Sequence, residues 1–425
     1  MKIIKNKKRK YIIISGLVST FVIIGLCITY YNSIPKEEPL IGAYINGAYS
    51  KALPTKGSGY TVEKIVCDNN KNASWDYNKW GIKLFNWGTR SRCNIYFKSL
   101  ESVTVANKTF YLDEAQRCPT MNSDGTVTVT GAEDTYGYLC RAKDAYGNSY
   151  YYRGNVTNNY VKFADKYWRI VRINGDGTVR VIYDGTSAHA NGEDSADRQI
   201  GTSAFNSSYK DNAYVGYMYG QTGASTYAAA HANTNDSTIK AYIDNWYKTN
   251  IVGTTNEQYL VDNVFCNDRS ISSNKPGSSY NNLGYGTEGT AYRWYYGPWS
   301  SGGYNSSMRL MCPQKNDAFT VSDTTNGNGA LTYPVGLLSS DEIVLAGGWN
   351  TYNSGYYLCT GQDWWASSPY YFNGSDAFVR YVASNGAANG DYYVRGADGV
   401  RPVFNLKAEV LAQGSGTASD PYRIS

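Results

Sequence analysis

Alternating apolar and polar positions dominate the chain after residue 41, and they predict β-strands. Within residues 42–100 the segments YTVEKIVCD and SRCNIYFKSL follow a period of two, with Tyr, Val, Ile and Phe at the apolar positions. Later in the chain, KYWRIVRINGDGTVRVIYDG gives two strands around a turn at residues 174–177, and MNSDGTVTVTG gives another hairpin around residues 123–125. The pattern therefore predicts a chain that is mostly β.

Two segments change to helical spacing. DSTIKAYIDNWYKTNI begins with capping residues at 235–237 and places four apolar residues on one face, namely Ile239, Tyr242, Ile243 and Trp246. VGLLSSDEIVLAGG begins with a capping box from Ser339 to Glu342 and ends at the glycines 347–348. Two helices set against many strands predict an α+β fold that is mostly β.

An uncharged stretch at residues 11–31 follows a basic segment at residues 1–10. As an α-helix this stretch extends about 31 Å at about 1.5 Å per residue, which is enough to cross a bilayer once. The preceding charges predict a cytoplasmic basic tail. A cleaved signal peptide is the alternative, although its apolar region is normally about 7–15 residues long. We therefore expect an uncleaved transmembrane signal anchor, a cell-membrane protein that crosses once with its N-terminus inside, and an extracellular location for the bulk of the chain.

Changes in composition divide the rest of the chain into four segments. They are a linker at 32–41, a small β-sandwich-like domain at 42–100, a β-hairpin connecting unit at 101–148 and a large domain at 149–425. Pairing the cysteines that are neighbours in sequence leaves Cys359 free and gives three disulfide candidates: Cys67 with Cys93, Cys118 with Cys140, and Cys266 with Cys312. No C-x-x-C spacing occurs, which argues against structural zinc and thioredoxin-like redox chemistry.

Composition excludes several classes of function. With 42 Tyr, 43 Gly and 18% charged residues, the chain is globular and β-leaning rather than disordered. Its net charge of +5 comes from the six basic residues in the segment 1–10, so the remainder is close to neutral. Nucleic-acid binding needs clustered Lys and Arg, and we expect no nucleic-acid partner.

The stretch at residues 363–406 has a composition of its own. From Ala366 to Leu406 it contains no Lys, Glu, Gln, Met or Trp, and its positions are filled mainly by Tyr, Asn, Ser, Asp, Gly, Ala, Val, Phe and Arg. Tyr supplies rigid amphipathic contact area, and Ser, Gly and Asn adapt their hydrogen bonds, as in antibody contact loops. The stretch is therefore predicted to be a binding face, held between the two Trp residues at 364–365 and the segment GVRPVFNL.

Several of these segments carry a resemblance to a known group of proteins. ASSPYYF, NGSDAFVRYV and GVRPVFNL, together with YWRIVRINGDGTVRV, YPVGLLSSDEIVLAGG and GSGTASDPYRI, resemble bacterial surface proteins of the C-type-lectin fold. These include the variable proteins of diversity-generating retroelements and related uncharacterised surface modules. Every residue type in the stretch 366–406 can be reached by randomising the first two bases of an asparagine codon, which fits that resemblance. The resemblance implies a C-type-lectin-like ligand-binding domain at 149–425 and a membrane-anchored surface receptor or adhesin. Its similarity to the retroelement-linked members further implies a hypervariable face.

The predicted contact residues follow from this interpretation. They are Trp365, Tyr371, Phe372, Asn373, Asp376, Arg380, Tyr381, Tyr392, Tyr393, Arg395 and Asp398. Arg401 is instead expected to be a buried structural residue, because an Arg in a rigid turn needs a carboxylate or carbonyl partner. The expected partner is an extracellular protein or glycan, with the membrane as a second partner through the N-terminal helix. No cofactor or metal is expected, since the E-P-N and Q-P-D tripeptides of calcium-dependent lectins are missing.

Two other functions stay open at this point. His189 and His231 are the only histidines, both in polar segments, and nothing near either suggests a catalytic triad. An extracellular enzyme on the same fold is one alternative, either a glycosidase with paired carboxylates or an oxidase like the formylglycine-generating enzymes. Those oxidases use a cysteine pair that Cys359 alone does not reproduce. The other alternative is a structural surface protein without a specific ligand. We predict a binding protein rather than an enzyme.

Overall fold

A computed structural model describes residues 2–6, 9–13, 41–68, 72–77, 79–85, 92–300, 307–388 and 390–424. The chain divides into two compact units. One consists of Met1–Val103 and Thr109–Arg117, and the other of Thr104–Lys108 and Cys118–Ser425. Strands far outnumber helices, which confirms the prediction of a mostly β chain.

The first unit is built on a four-stranded sheet. Its strands occur in the order Ala48–Ser50, Ile41–Ile45, Cys93–Ser99 and Tyr60–Cys67. The hairpins of this part of the chain pair Lys2–Asn6 with Arg9–Ile13, Asn72–Asp76 with Gly81–Phe85, and Ser102–Val105 with Lys108–Tyr111. Apolar side chains of the sheet and of the Gly81–Phe85 strand, including Ile82, Leu84, Ile95 and Phe97, form one buried cluster. The alternating pattern in this segment is therefore a strand signal, as predicted.

The predicted transmembrane helix at residues 11–31 is corrected. Tyr11 to Ile13 lie in the strand Arg9–Ile13, which pairs antiparallel with Lys2–Asn6, and residues 14–31 lie outside the described residues, as does most of the predicted linker. Across the residues that the structure describes, no helix is long and apolar enough to cross a bilayer. Length and lack of charge carried the prediction, yet Tyr and Ile are equally suited to strands. The single-pass topology and the membrane partner are not retained.

The second unit contains a large antiparallel sheet. Its strands occur in the order Gly137–Asp144, Gly147–Gly154, Lys166–Ile173, Val179–Gly185, Val403–Leu406 and Val335–Gly336, and Tyr160–Phe163 also pairs with Lys166–Ile173. The predicted hairpin at residues 174–177 is confirmed, since Asn174 donates its backbone N–H to the Thr178 carbonyl. Every residue of Val179–Gly185 is buried, and successive side chains of a strand point to opposite faces. Both faces of this sheet are therefore covered.

A second sheet in the same unit carries the stretch that was predicted to bind. Its strands occur in the order Thr202–Ala204, Ala397–Gly399, Trp364–Phe372, Ala377–Val382 and Gly390–Tyr393, and Thr290–Ala291 pairs with Trp364–Phe372. Gly390–Tyr393 is an edge strand of this sheet. The unit also contains three smaller sheets. One has three strands in the order Thr120–Met121, Val127–Thr128 and Ser307–Met308. The other two pair Met218–Tyr219 with Asn235–Asp236, and Phe265–Cys266 with Ala318–Phe319.

The α-helices among the described residues are Tyr227–Ala230, Thr238–Asn250 and Ser340–Leu345. In Thr238–Asn250, Ile239 and Ile243 are buried as predicted, but Tyr247 is the buried aromatic and Tyr242 is exposed. The capping box between Ser339 and Glu342 is present. Single 3-10 turns complete the unit at Ala196–Arg198, Asn212–Val215, Glu257–Tyr259, Arg293–Tyr295, Lys315–Asp317 and Ala408–Leu411.

Disulfides and buried ion pairs hold the units together internally. The three predicted disulfides are all present, joining Cys67 to Cys93, Cys118 to Cys140 and Cys266 to Cys312, and Cys359 is free and buried. Arg401 is buried and donates to Asp184 over 3.0 Å and to the carbonyls of Tyr183 and Leu358. Its predicted structural role is therefore confirmed. Asp184 also pairs with Arg169 and Arg198.

The predicted boundary at residue 148 lies inside the large sheet. Gly137–Asp144 pairs along its whole length with Gly147–Gly154, and the latter strand pairs with Lys166–Ile173. Residues 118–148 belong to the same compact unit as the C-terminal part of the chain. They add strands to the frame that supports the second sheet.

Candidate ligand-binding face

The register of the second sheet sorts the predicted contact residues onto two sides. Directly opposite residues point to the same side of a sheet, and successive residues of a strand alternate. Phe378 pairs with Tyr393 and Arg380 with Asp391 on one side, whereas Trp365 pairs with Tyr381 on the other. The sequence alone gave no indication of this separation. We call the first side the tyrosine face.

The tyrosine face is a continuous series of ring contacts. The ring centroids of Tyr371 and Phe378 are 4.3 Å apart, and those of Phe378 and Tyr393 are 4.4 Å apart. Tyr371 also contacts Tyr370 at 4.8 Å, and Tyr370 stacks on Tyr295 at 5.0 Å. Edge-to-face and offset arrangements of this kind stabilise aromatic pairs by about 0.5–1.5 kcal/mol beyond burial. The rings therefore hold one another in place.

A cation extends the series at one end. The guanidinium of Arg395 lies 4.8 Å from the ring centroid of Tyr209 and 4.7 Å from that of Tyr393. The same guanidinium donates from Nε to the Asp376 carboxylate over 3.1 Å. Asp376 in turn closes the exposed loop at residues 373–376, in which Asn373 accepts the backbone N–H of Asp376. These contacts orient Arg395 while about half of its side chain stays exposed.

Part of the tyrosine face comes from chain segments that sequence reasoning missed. Tyr280, Tyr295 and Tyr296 belong to the insertion at 267–307, which the pattern of polar residues predicts only as a surface loop. Tyr280 lies 6.5 Å from Tyr371 and Tyr296 lies 5.0 Å from Tyr295, measured between ring centroids. The tyrosine pair at 295–296, beside two Trp residues in the segment RWYYGPW, is the signal that could have identified this contribution.

Three of the predicted contact residues are corrected to supporting residues. Trp365 and Phe372 have no exposed surface, and Arg380 is 3% exposed. Trp365 donates its ring N–H to the Ser203 carbonyl over 2.8 Å. Arg380 donates from Nε and Nη2 to the Trp294 carbonyl and stacks 4.1 Å from the Tyr370 ring centroid. Side chains covered in this way cannot touch a ligand, because the framework already occupies their contact surfaces.

The remaining predicted residues lie at the surface on both sides of the edge strand. Tyr392 is 40% exposed and Tyr393 is 38% exposed. Tyr371, Tyr381, Asp376 and Asp398 are half-buried, and Asn373 and Arg395 are exposed. Tyr392 lies on the side opposite to the tyrosine face, with its ring 6.2 Å from Tyr381. The two sides meet at the edge strand, where the rings of Tyr392 and Tyr393 are 6.0 Å apart.

The carboxylates around the sheet are poorly compensated. Burial, together with the neighbouring charge of Asp363, raises the pKa of Asp398 to about 6, and its Oδ2 atom has no hydrogen-bond donor. Burial also raises the pKa of Asp391, an effect that the charge of Arg380 opposes. Burial raises the pKa of Tyr370 to about 12, with Asp391 adding to that shift. Uncompensated charge near exposed aromatic rings is typical of a functional surface.

A histidine cluster elsewhere in the second unit provides the other candidate chemistry. His189 places Nδ1 2.9 Å from Glu193 and Nε2 2.8 Å from Asp197, beside a cavity of about 390 Å³. Ser187 lies 3.3 Å from the same Nε2 atom. Burial lowers the pKa of His189, but the bonds to Glu193 and Asp197 outweigh it and raise the pKa overall. Both ring nitrogens of His189 already contact carboxylates, whereas a catalytic triad leaves one nitrogen to accept the proton of the serine, so the arrangement does not match a triad.

Metal-binding geometry is not found in the described part of the chain. Among those residues, no group of three or more His, Cys, Asp or Glu side chains could hold a metal ion. Cys359 is buried and burial raises the pKa of its thiol, whereas a reactive cysteine requires the thiolate. The buried His231 donates from Nε2 to the Gly284 carbonyl, and burial lowers the pKa of His231 to about 2. These groups are explained by packing.

Comparison with known proteins gives one partial match. Residues 308–408 match a family described as a domain of unknown function, DUF6273. The matched segment includes the strands Trp364–Phe372, Ala377–Val382 and Gly390–Tyr393. No curated protein matches the chain, and no solved structure matches it. The resemblance to C-type-lectin-fold variable proteins therefore stays a prediction.

Proposed function

We propose that this protein binds a macromolecular ligand, a protein or a glycan, through the tyrosine face. The observation that carries this proposal is a series of contacts that runs from Tyr209 through Arg395, Tyr393, Phe378 and Tyr371 to Tyr295. Phe378 is buried, and the tyrosines and Arg395 along the series are partly or fully exposed. Tyr and Arg are enriched among the residues that dominate binding energy at interfaces. Packing within the fold does not explain why these residues are exposed at the surface.

The supporting residues favour recognition over a purely structural role. Arg380 is fixed within the tyrosine face by hydrogen bonds to the Trp294 carbonyl and by stacking on the half-buried Tyr370. Trp365 is fixed on the opposite side of the same sheet by its hydrogen bond to the Ser203 carbonyl. Rigid rings with few torsions lose little conformational entropy on binding, and a fixed frame reduces that cost further. The three disulfides support a working location outside a reducing cytoplasm. Such a location suits a protein that meets ligands from the cell's surroundings.

The proposal is tested by comparing two sets of surface variants on glycan and protein arrays. The face variant combines Tyr371→Ser, Tyr393→Ser and Arg395→Ser. The control variant combines Tyr242→Ser and Tyr352→Ser, since Tyr242 is 36% and Tyr352 69% exposed and neither lies in the second sheet. Any ligand found for the wild type should be retained by the control variant and lost by the face variant.

Thermal unfolding separates loss of binding from loss of structure. Exposed substitutions away from packing usually change stability by less than about 0.5 kcal/mol, and half-buried ones by about 1 kcal/mol. The face variant should therefore unfold within a few degrees of the wild type. A ligand that binds the face variant as tightly as the wild type, or the absence of any ligand on both arrays, would count against the proposal.

A further inference from the structure

Asp391 lies at the centre of the tyrosine face on the edge strand Gly390–Tyr393. Its cross-strand partner is Arg380, and its side chain points to the same side of the sheet as Tyr393. The carboxylate is half-buried, yet within the described part of the chain it accepts no hydrogen bond and forms no ion pair. By contrast, Asp376 on the same face is paired with Arg395 over 3.1 Å.

Arg380 is held away from Asp391 by other contacts. Its guanidinium donates to the Trp294 carbonyl over 3.1 Å from Nε and 2.6 Å from Nη2. The same group stacks 4.1 Å from the ring centroid of Tyr370 and lies 5.6 Å from that of Trp299. Burial raises the pKa of Asp391 even though the charge of Arg380 acts in the opposite direction. The carboxylate is therefore only partly compensated within the fold.

Asp391 lies opposite Arg380, which stacks on Tyr370, and its charge acts on three aromatic rings of the same face. After burial, the negative charge of Asp391 is the largest factor that raises the pKa of Tyr371, and it also raises the pKa of Tyr295 and Tyr370. The rings of Tyr295 and Tyr370 are parallel within 14°, and Tyr371 is inclined at 88° to Tyr370. The faces of aromatic rings attract cations through their quadrupole, and an adjacent carboxylate adds to this attraction.

We propose that Asp391, Tyr295, Tyr370 and Tyr371 form a subsite for a cationic group of the ligand, either a guanidinium or a primary ammonium. This inference rests on the proposed function, because it assigns a chemical class to part of the ligand of the tyrosine face. An anionic group is disfavoured, since Arg380 is covered by Tyr370 and Asp391 repels negative charge. A neutral group is also disfavoured. The bound ligand would then cover the charge of Asp391 without supplying a partner for it, and burying an unpaired charge costs free energy.

Small cations test the subsite without knowledge of the full ligand. Isothermal titration calorimetry of the full chain at constant ionic strength would use methylguanidinium and methylammonium as probes, with urea and acetate as neutral and anionic comparisons. We expect one or both cations to bind with a millimolar dissociation constant and the comparisons to bind at least about tenfold more weakly. The relative affinities of the two cations distinguish a guanidinium ligand from an ammonium ligand.

Matched carboxylate variants localise the binding. Asp391→Asn should weaken cation binding by at least about tenfold, the loss expected for one charge-assisted contact. Asp165→Asn should leave it unchanged, because Asp165 is an exposed hairpin residue outside the second sheet. Asp391→Ser provides a second variant, and circular dichroism establishes that each variant is folded. The inference is overturned if neither cation binds, if urea binds as well as methylguanidinium, or if both Asp391 variants retain full affinity.

The outcome is separable from the proposed function. In one outcome, the face variant with Tyr371, Tyr393 and Arg395 replaced loses a macromolecular ligand, but the wild type binds neither small cation. The proposed function would then stand, and only the cationic subsite would be rejected. In the opposite outcome, small cations bind in a way that depends on Asp391, but the ligands found on the arrays bind the face variant as tightly as the wild type. The proposed function would then be rejected, and the cationic subsite would stand. Each result therefore decides one of the two statements.

Discussion

Replacing Asp398 by Asn should stabilise the second unit at neutral pH, and the gain should disappear below about pH 4. The folded-state pKa of Asp398 is about 6, compared with the ordinary value of 3.8. A pKa raised by folding means that the folded state binds the proton more tightly than the unfolded state. Asp398 therefore does not lower the free energy of unfolding of the wild type below about pH 4. That free energy decreases as the pH rises from about 4 through about 6.

The magnitude follows from that difference in pKa. Each unit corresponds to about 1.4 kcal/mol, so a shift of roughly two units corresponds to about 3 kcal/mol. Asp398 is half-buried, and solvent screening of a partly exposed charge reduces this figure to about 1–2 kcal/mol. Asn has the same shape without the charge. The Asp398→Asn variant should therefore exceed the wild type by about 1–2 kcal/mol near pH 8 and differ little near pH 4.

Urea unfolding of both proteins at a series of pH values between about 4 and 8 measures this difference. Asp165→Asn is the matched control, since Asp165 is an exposed hairpin residue with a positive φ that Asn also tolerates. The control should show no difference from the wild type that varies with pH. The reasoning is refuted if the gain from Asp398→Asn is independent of pH, or if the variant is less stable than the wild type near pH 8. Stabilisation on removal would support a functional role for Asp398, because residues kept for binding are often kept at the expense of stability.

Three further predictions concern the frame. Asp184→Asn leaves Arg169, Arg198 and Arg401 without their shared carboxylate. It should lower the free energy of unfolding by about 3–5 kcal/mol in urea titrations, and a loss below about 1 kcal/mol would contradict the central role of this cluster. Trp365→Ala leaves a cavity at a fully buried position and should lower the free energy of unfolding by about 3–5 kcal/mol in the same titrations. Truncating a surface contact residue would lower it much less. Replacing Cys118 and Cys140 by Ser opens a loop of 22 residues and should cost about 3 kcal/mol; calorimetry should show a lowered melting temperature, and an unchanged one would mean that this disulfide does not stabilise the fold.

Local features of the fold could be predicted from the sequence, because they depend on residues close together in the chain. The turn at 174–177 and the capping box from Ser339 to Glu342 were predicted from the residue types that those conformations require. The disulfides follow from pairing sequence neighbours within short loops. The predicted transmembrane helix at 11–31 was wrong for the residues that the structure describes, since Tyr11 to Ile13 lie in a strand. Length and lack of charge do not distinguish a helix from a strand rich in β-branched residues.

The candidate site was predicted only in part, for a physical reason. Composition identified the stretch 363–406, but strand register decides which of its residues share a side, and register depends on pairing partners that composition does not show. Arg380 and Arg395 have the same residue type and nearly the same setting in sequence, yet one is buried and the other exposed. Tyr295 joins the face from about 75 residues earlier in the chain. The aromatic segment around it indicates a contact surface, but it does not show which strand that surface contacts.

The edge strand Gly390–Tyr393 carries Tyr392 and Tyr393 on opposite sides of one narrow ribbon. Because side chains alternate, adding or deleting a single residue in the connection between Val382 and Gly390 would slide the strand by one position and exchange the two sides. Tyr392 would then replace Tyr393 beside Phe378, and Asp391 would leave the tyrosine face. Relatives that share its ligand should therefore keep the length of that connection constant.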